Sequence, residues 1–468
     1  MLVKGKRIKR DQMIDVTNPY NGQLVGQVAR ANRDDIETVI GNAEQGKKIM
    51  RQMPAGERAR ILDLAAAKVA GNEELARIIN LEVGKTIHEA RAEVARCSQT
   101  LKLSADAARW LVGETVRFDL GGKSQKTGYY QRVPLGIVLA ISPFNFPLNL
   151  SAHKIGPALA AGNAVIHKPA TKTPLCAVML AEILLGCGLP AETISVVTAP
   201  GSELGDLLVG HPAIRKVSFT GSLEIGERIC GRAGLKKTTM ELGSNSAVLV
   251  LPDANLEAVA KKVRVGGYTL AGQVCISIQR VYVHETIFDH FLQILYEEVK
   301  QIRVGDPSKE DTEMGPMISE SAAGNVKTWI DEALKAGGKL LIGGEIDRAF
   351  LEPTILFDVP ETCRVIQDEA FAPLVVVNRF ASLDEGIFKT NNTKYGLQAG
   401  VFTNDLNAAL RCVSEIDAGG VLVNEIPTFR VDNMPYGGMK SSGLGREGPR
   451  FAIEEMTEIK LVVFDVSD

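Results

Sequence analysis

From Gly136 onward, short apolar runs rich in β-branched residues alternate with helix-length segments, and this alternation constrains the fold more than any other feature of the chain. The order is GIVLAIS, a helix from about Pro147, NAVIHK, a helix from about Pro174, ISVVTA, a helix around Leu204, KVSFTG, a helix from about Ser222, and TTMEL. Strand, helix, strand in this order predicts a parallel, doubly wound α/β sheet with right-handed crossovers. The alternation resumes at SAVLVL (from Ser246), RVYVHE (Arg280), LVVVNRF (Leu374), AGVFTN (Ala399) and GGVLVN (Gly419), with helices over Leu256 to Leu270 and Ile287 to Ile302. That predicts a second α/β unit. Ahead of both, a strand-like TNPYNGQLVGQV precedes Asp34 to Leu111, a stretch rich in Ala, Glu, Arg and Leu with helical spacing, expected to pack on the first sheet.

At 468 residues and 45% hydrophobic content the chain has material for at least two cores. Lys+Arg 53 against Asp+Glu 56 gives a net charge of −3, so no strong field awaits nucleic acid or an anionic membrane. The cysteines at 97, 176, 187, 230, 275, 363 and 412 show neither a CxxC pair nor a metal-site spacing, and no metal is expected. They suit a reducing compartment. The start MLVKGKRIKRDQMID lacks the apolar stretch of a secretory signal. The best apolar run, near Val133 to Ile141, is far short of the ~18 residues that cross a bilayer. The expectation is a cytoplasmic protein.

Two segments, SQKTGYYQRVP from Ser124 and EIKLVVF from Glu458, alternate like exposed strands with no helix to cover them. Open edges of that kind predict strand exchange or sheet extension in an oligomer; the alternative is a hairpin lying on its own subunit.

Four features carry chemistry. KVSFTG runs into Gly221, Ser222 and Gly226 at a helix start, where close backbone and free N–H groups favour an anion. AGQVCISIQR sets Cys275 after a Gly-Gln turn; nucleophilic attack needs a lowered thiol pKa, which a helix start or amide nest could supply, or a nearby base. Glu241 ends the TTMEL strand, placed to act as a base facing a crevice. Asn145, between Pro143 and Pro147, offers a rigid amide to an oxyanion. Taken singly, three of them have a plainer reading: a helix that follows Gly-Ser, a buried structural cysteine, a turn asparagine.

Together with longer motifs these features resemble the NAD(P)-dependent aldehyde dehydrogenases. PFNFPL from Pro143, GPALAAGNAVIHKPA from Gly156, SFTGS from Ser218, MELG from Met240, GQVC from Gly272, DEAFAP from Asp368 and PYGGMKSSGLGREG from Pro435 carry the resemblance across nearly the whole chain. It implies a Rossmann-like cofactor domain (1–118 and 139–245), an α/β catalytic domain (246–440) and a small β oligomerisation arm (119–138 and 455–468) in a homodimer or homotetramer. It implies that Cys275 attacks the aldehyde, that Asn145 and the Cys275 N–H hold the oxyanion, and that Glu241 activates the water that hydrolyses the thioester. A carboxylate at this place favours hydrolysis over transfer to coenzyme A. For NADP or NAD, it implies Thr220, Gly221 and Ser222 near the pyrophosphate, Gly201 and Gly205 near the adenine cleft, Lys168 on the adenine ribose and Glu369 on the nicotinamide ribose. Ile141, Phe144, Leu242, Gly243 and Phe371 complete the expected cofactor site. NAD-preferring relatives often carry a glutamate where this chain has Thr171, beside Lys172, which favours NADP. The chain departs from the usual pattern at Ser244 and Asn245, where Gly-Lys is common, and at Phe144, where Trp is common.

Asn149 and His153, four apart on one helix face, stand where relatives acting on greasy aldehydes carry apolar groups. With Phe146, Leu150, Val274, Ile276 and Phe429 as the apolar remainder and Arg430 at the mouth, they predict a short aldehyde bearing hydroxyl or anionic groups. The FRVDNMPYGG loop from Phe429 resembles the lactaldehyde dehydrogenase branch, close to enzymes of phosphonoacetaldehyde, sulfolactaldehyde and succinate semialdehyde. Val274, where phosphate-binding relatives have Arg, counts against glyceraldehyde 3-phosphate. The alternatives for His153 and Arg430 are a ring hydrogen-bonded among helices and a surface charge. At the level of the protein, the alternatives are a non-redox cysteine hydrolase, for which no histidine sits in a partner motif, and an inactive homologue, against which the retained Cys275, Glu241 and Asn145 argue.

Overall fold

The computed structural model describes residues 1–122 and 125–466. The expected arm segments include residues 123–124, Ser124 among them, and 467–468, which lie outside that range.

A hairpin of β1 (Met13–Thr17) and β2 (Leu24–Ala29) leads into four helices, α1 (Arg33–Gln52), α2 (Ala55–Val69), α3 (Glu73–Val83) and α4 (Ile87–Trp110). Caps set their starts: Asn32 with Asp35, and Thr86 with Glu89, form reciprocal capping boxes. After β3 (Lys126–Pro134), the predicted alternation follows as β4 (Ile137–Ile141), α5 (Asn149–Ala160), β5 (Ala164–Lys168), α6 (Leu175–Gly186) and β6 (Ile194–Val196). It continues with α7 (Gly201–Gly210), β7 (Lys216–Thr220), α8 (Leu223–Ala233) and β8 (Lys237–Glu241). The five strands pair in parallel in the order β6-β5-β4-β7-β8. Short N-terminal strands extend one edge, and Gly443–Leu444 returns from far along the chain to close the other, antiparallel to β8.

Helices α4 and α5 pack on one face of this sheet, where Val94, Leu101, Ile155 and Leu159 share one buried cluster. Each such side chain contributes about 1.5–3 kcal/mol by leaving water.

The second sheet has seven strands, β11 (Lys339–Ile342), β12 (Thr354–Phe357), β13 (Leu374–Phe380), β10 (Arg280–His284), β9 (Ala247–Val250), β14 (Gln398–Phe402) and β15 (Gly420–Val423), in that spatial order. Its helices include α9 (Leu256–Tyr268), α10 (Phe288–Val299) and α11 (Glu320–Lys335). All pairs are parallel except β11–β12.

The two expected open-edged segments pair with each other. β3 and β16 (Thr457–Asp465) run antiparallel over nine partners, from Thr457 opposite Pro134 to Asp465 opposite Lys126. The third strand of that sheet, Glu114–Thr115, lies on the far side of β3, so β16 stays an outer strand with Ile459, Leu461, Val463 and Phe464 exposed. Among the described residues, no helix is long and apolar enough to cross a membrane.

Candidate active site

Parallel pairing brings the carboxyl ends of four strands to one rim. Ile141 lies opposite both Lys168 and Phe219, and Thr220 lies opposite Glu241. Open α/β sheets bind ligands at such a rim. A cavity of about 270 Å³ opens there, and of the expected cofactor residues Ile141, Lys168, Thr171, Gly201 and Gly205 line it. Lys168 is buried, with its ammonium 3.5 Å from the Pro169 carbonyl and no carboxylate partner. Burial pushes its pKa down to about 8. An uncompensated buried cation beside two glycines on one face of α7 fits the ribose and phosphate oxygens of a nucleotide. The start of α8 also suits an anion, because its N-cap Ser222 makes no side-chain cap. Thr220 does not face this cavity: its hydroxyl accepts from Lys154 Nζ at 2.7 Å.

Glu369 and Gly243 meet between the two sheets. A Cβ at Gly243 would fall 2.2 Å from Glu369 Oε2, so a side chain there would displace that carboxylate. Glu369 Oε1 accepts from the Ser244 N–H at 3.0 Å, and burial raises its carboxyl pKa to about 7. Phe371 has a left-handed φ of 51°, and its ring meets Phe144 edge-on at 5.8 Å.

Cys275 sits on a strained loop between α9 and β10. Leu270, Ala271 and Gly272 are consecutively left-handed, with φ of 52°, 50° and 68°. At the first two such a conformation costs about 1–3 kcal/mol each, and persists only where surrounding structure dictates it. Here Glu89, the capping residue of α4, accepts from the Leu270 N–H at 2.6 Å. Asn145 Nδ2 donates to the Gln273 carbonyl at 2.8 Å, and Thr428 Oγ1 donates to the Ile276 carbonyl at 3.1 Å. Gly272 lies so close to the Ala372 carbonyl that a Cβ would fall 1.9 Å from its oxygen. The thiol, half-buried, lies 2.8 Å from the Tyr436 hydroxyl. The expectation of a lowered pKa is corrected: burial pushes the thiol up to about 11, against the opposing pull of the Tyr436 hydrogen bond and the Arg430 charge.

Two buried carboxylates behind Cys275 are in opposite states. Glu241 has no hydrogen-bond partner on either oxygen, and burial together with the nearby Glu447 holds its pKa well above the ordinary range. Burial acts on Glu447 too, but Lys154 Nζ at 2.7 Å and Arg430 Nη2 at 3.0 Å bring its pKa well below that range. Arg430 also lies flat over the Tyr436 ring, 3.6 Å from its centre, and its Nε is buried without an acceptor.

A cavity of about 190 Å³ adjoins Cys275, and Phe146, Asn149, Leu150, Val274, Ile276 and Arg430 line it as expected. His153 does not: it is buried behind the wall with Nε2 2.9 Å from Asp432 Oδ1, and burial and Arg430 depress its pKa. Phe429 is 47% exposed and absent from the wall. Arg430 is not the surface charge of the alternative reading, since its side chain is 7% exposed.

The reading missed Lys85, Glu89, Glu93, Arg96 and Tyr436, all on the cavity wall, and Lys154 and Glu447 behind it. Lys85 and Glu93 are a fully buried ion pair at 2.7 Å. Glu93 also accepts from the Leu148 and Asn149 N–H groups at the start of α5. Arg96 forks onto Asp432 at 2.7 and 3.2 Å. The signal was present as spacing, because positions 89, 92, 93 and 96 fall on one face of a helix.

The aldehyde dehydrogenase family model matches residues 7–462. The chain is 42% identical to the 3-sulfolactaldehyde dehydrogenase of Priestia aryabhattai over 468 residues, covering 100% of this chain and 98% of the relative. It is 40% identical to the lactaldehyde dehydrogenase of Methanococcus aeolicus, with 99% of each chain covered. Among solved structures, it superposes at a TM-score of 0.94 and 38% identity on the glyceraldehyde-3-phosphate dehydrogenase GapN of Methanocaldococcus jannaschii complexed with NADP, covering 98% of this chain and 100% of that one. On its motifs, its sheets and these matches, the chain belongs to the aldehyde dehydrogenase family and is an NAD(P)-dependent enzyme of aldehyde oxidation.

Proposed function

We propose that the protein oxidises a small polar aldehyde, lactaldehyde-like in size, to its carboxylic acid at Cys275. The observation that carries the reading is the 190 Å³ cavity at that thiol, whose wall mixes aliphatic side chains with Asn149, Arg96 and Arg430. An aldehyde bearing a polar group offers an acceptor to the Arg430 Nε, which has none within the fold and which a bulky apolar aldehyde would leave unmet.

The thiol at about 11 needs a base, and Glu241, whose charge is felt at that thiol, takes its proton once ionised; burial raises the Glu241 pKa and so makes its carboxylate a stronger base. The sulfur adds to the carbonyl to give a thiohemiacetal, whose oxyanion is held by the Cys275 N–H and the Asn145 amide hydrogen that Gln273 does not use. A bound nicotinamide nucleotide supplies the acceptor for the hydride lost on forming the thioester. Once Glu241 has passed the thiol proton to solvent, it takes a proton from water; the hydroxide adds to the thioester carbonyl, the Cys275 thiolate leaves, and the acid departs.

Residues 1–118 and 139–245 would serve as the cofactor domain and 246–440 as the catalytic domain, with Lys168 on the ribose and Glu369 on the nicotinamide side. Thr171 admits a 2′-phosphate, which favours NADP over NAD. The outer edges of β16 and β15 would pair between copies of the chain in a cytoplasmic homodimer or homotetramer.

One observation favours an anionic substrate tail as the second reading: the acceptor-free Nε of Arg430 lies in a wall shared with Arg96. Initial rates with L-lactaldehyde and with succinate semialdehyde, each with NAD and NADP, test both readings alongside Cys275→Ala. Turnover of lactaldehyde that vanishes in the variant is expected; turnover of the semialdehyde alone would establish the anionic reading, and turnover retained by Cys275→Ala would overturn the mechanism.

A further inference from the structure

Helices α7 and α8 face each other across the rim cavity with unlike surfaces. Gly201 and Gly205, one turn apart, leave α7 bare on that side, and a Cβ at Gly205 would meet nothing within 4 Å. Opposite them, Ile225, Arg228 and Ile229 share one face of α8, and Ile225 is 45% exposed despite its apolar side chain. Bare backbone against aliphatic groups forms a slot suited to a flat ring.

One ion pair crosses the slot. Arg228 Nε and Nη2 donate to the two carboxylate oxygens of Asp206 on α7 at 3.0 and 2.6 Å. Both residues line the cavity. The forked geometry fixes the guanidinium plane, and Asp206 meets its charge, so this cation is a poor partner for a phosphate. Lys168, with no carboxylate, is the cation left for oxygen-rich groups. The cavity therefore sorts a ligand by its ends, with sugar and phosphate toward Lys168 and an uncharged planar group toward Arg228. A guanidinium is weakly hydrated and stacks on aromatic faces, which an ammonium cannot do as a plane.

We propose that Arg228, held flat by Asp206, packs on the adenine of the bound cofactor and is a determinant of cofactor affinity. This rests on the reading of the cavity as the nucleotide site. Its contribution belongs to the base, so it acts on NADP, NAD and adenosine monophosphate alike and not on nicotinamide mononucleotide.

The test is calorimetric titration of the native protein, Arg228→Ala, Arg228→Lys and Asp206→Asn with NADP, 5′-AMP and nicotinamide mononucleotide. Stacking of this kind predicts about a five- to tenfold loss of NADP and AMP affinity in Arg228→Ala, little recovery in Arg228→Lys, and no change for the mononucleotide. Asp206→Asn, which frees the plane, should lose about two- to threefold. At saturating NADP kcat should be native, with the cofactor KM raised. Native AMP affinity in Arg228→Ala overturns the proposal, as does an equal loss for all three ligands, which would mark displaced helices. Native protein that binds neither NADP nor AMP overturns the cofactor reading of the cavity, and the proposal with it.

Discussion

The two cavities of this enzyme treat buried positive charge in opposite ways. On the substrate side every lining cation brings its own carboxylate: Lys85 has Glu93, Arg96 has Asp432, and Arg430 has Glu447, which it shares with Lys154. On the cofactor side the exposed Arg228 likewise has Asp206, but the buried cation, Lys168, lies against a carbonyl alone. Ion pairs complete within the fold stay charged and fixed whether or not a ligand is present. A buried cation without a partner is a standing cost to the folded chain, which an anionic or hydroxyl-rich ligand relieves. The difference assigns permanence to the substrate wall and ligand dependence to the cofactor wall.

The strongest way to break that contrast is Glu447→Gln. It leaves Lys154 and Arg430 buried with no anion, and removing one partner of a buried pair costs about 3–5 kcal/mol. Urea unfolding should show a loss of that size, together with a collapse of turnover, since Arg430 and Glu241 both border Glu447. Stability within 1 kcal/mol of native would mean that the pair is not the fixed support inferred.

Lys168→Met sharpens the contrast with the opposite sign. Without ligand the variant should be as stable as the native protein or more so, while NADP affinity should fall about ten- to a hundredfold, as for a lost charge-assisted contact. The folded-state pKa of Lys168, about 8, lies below the ordinary lysine value of 10.5, so between those values the unfolded chain holds more protons and stability rises with pH. The full effect is on the order of 3 kcal/mol. Lys216, also pushed to about 8, gives a similar slope in both proteins, so the readout is the difference between their stability curves. Binding has the reverse dependence: NADP affinity should weaken as pH climbs through 8 in the native protein and not in the variant. Parallel curves would show that Lys168 does not titrate as the burial demands.

How legible each cavity was in the sequence follows the same division. Strands buried on both faces read as continuous apolar runs, so the parallel sheets and the strand-end residues Ile141, Lys168 and Glu241 could be placed from the sequence. The cofactor rim is built almost wholly from one contiguous stretch of chain. The substrate wall is assembled from α4, α5, the cysteine loop and residues 428–447, which no local pattern relates. Glu93 and Arg96 look like an ordinary charged helix face, and Lys85 like a turn lysine ahead of it, until α5 packs against them. His153 misled for the same reason: its spacing from Asn149 is right, but Asp432, 279 residues away, draws its ring behind the wall. The β3 and β16 segments each lacked a visible partner because each is the other's, more than 300 residues apart.

The smallest predicted effect concerns the one place where the permanent wall touches the nucleophile. Tyr436 carries Arg430 on its ring face and offers its hydroxyl to Cys275 Sγ, and of the influences on that thiol the hydrogen bond is the chief one favouring the thiolate over burial. Tyr436→Phe keeps the ring, and so the seat of Arg430, while removing the hydroxyl alone. A net hydrogen bond of about 0.5–1.5 kcal/mol predicts a thiol pKa higher by about half to one unit. Alkylation of Cys275 by iodoacetamide, followed against pH, should then slow about two- to tenfold at pH 8 and converge with the native rate at high pH. A uniform slowing at every pH would point to altered access instead, and an unchanged profile would show that the hydroxyl does not stabilise the thiolate, leaving the Arg430 charge as the wall's only hold on it.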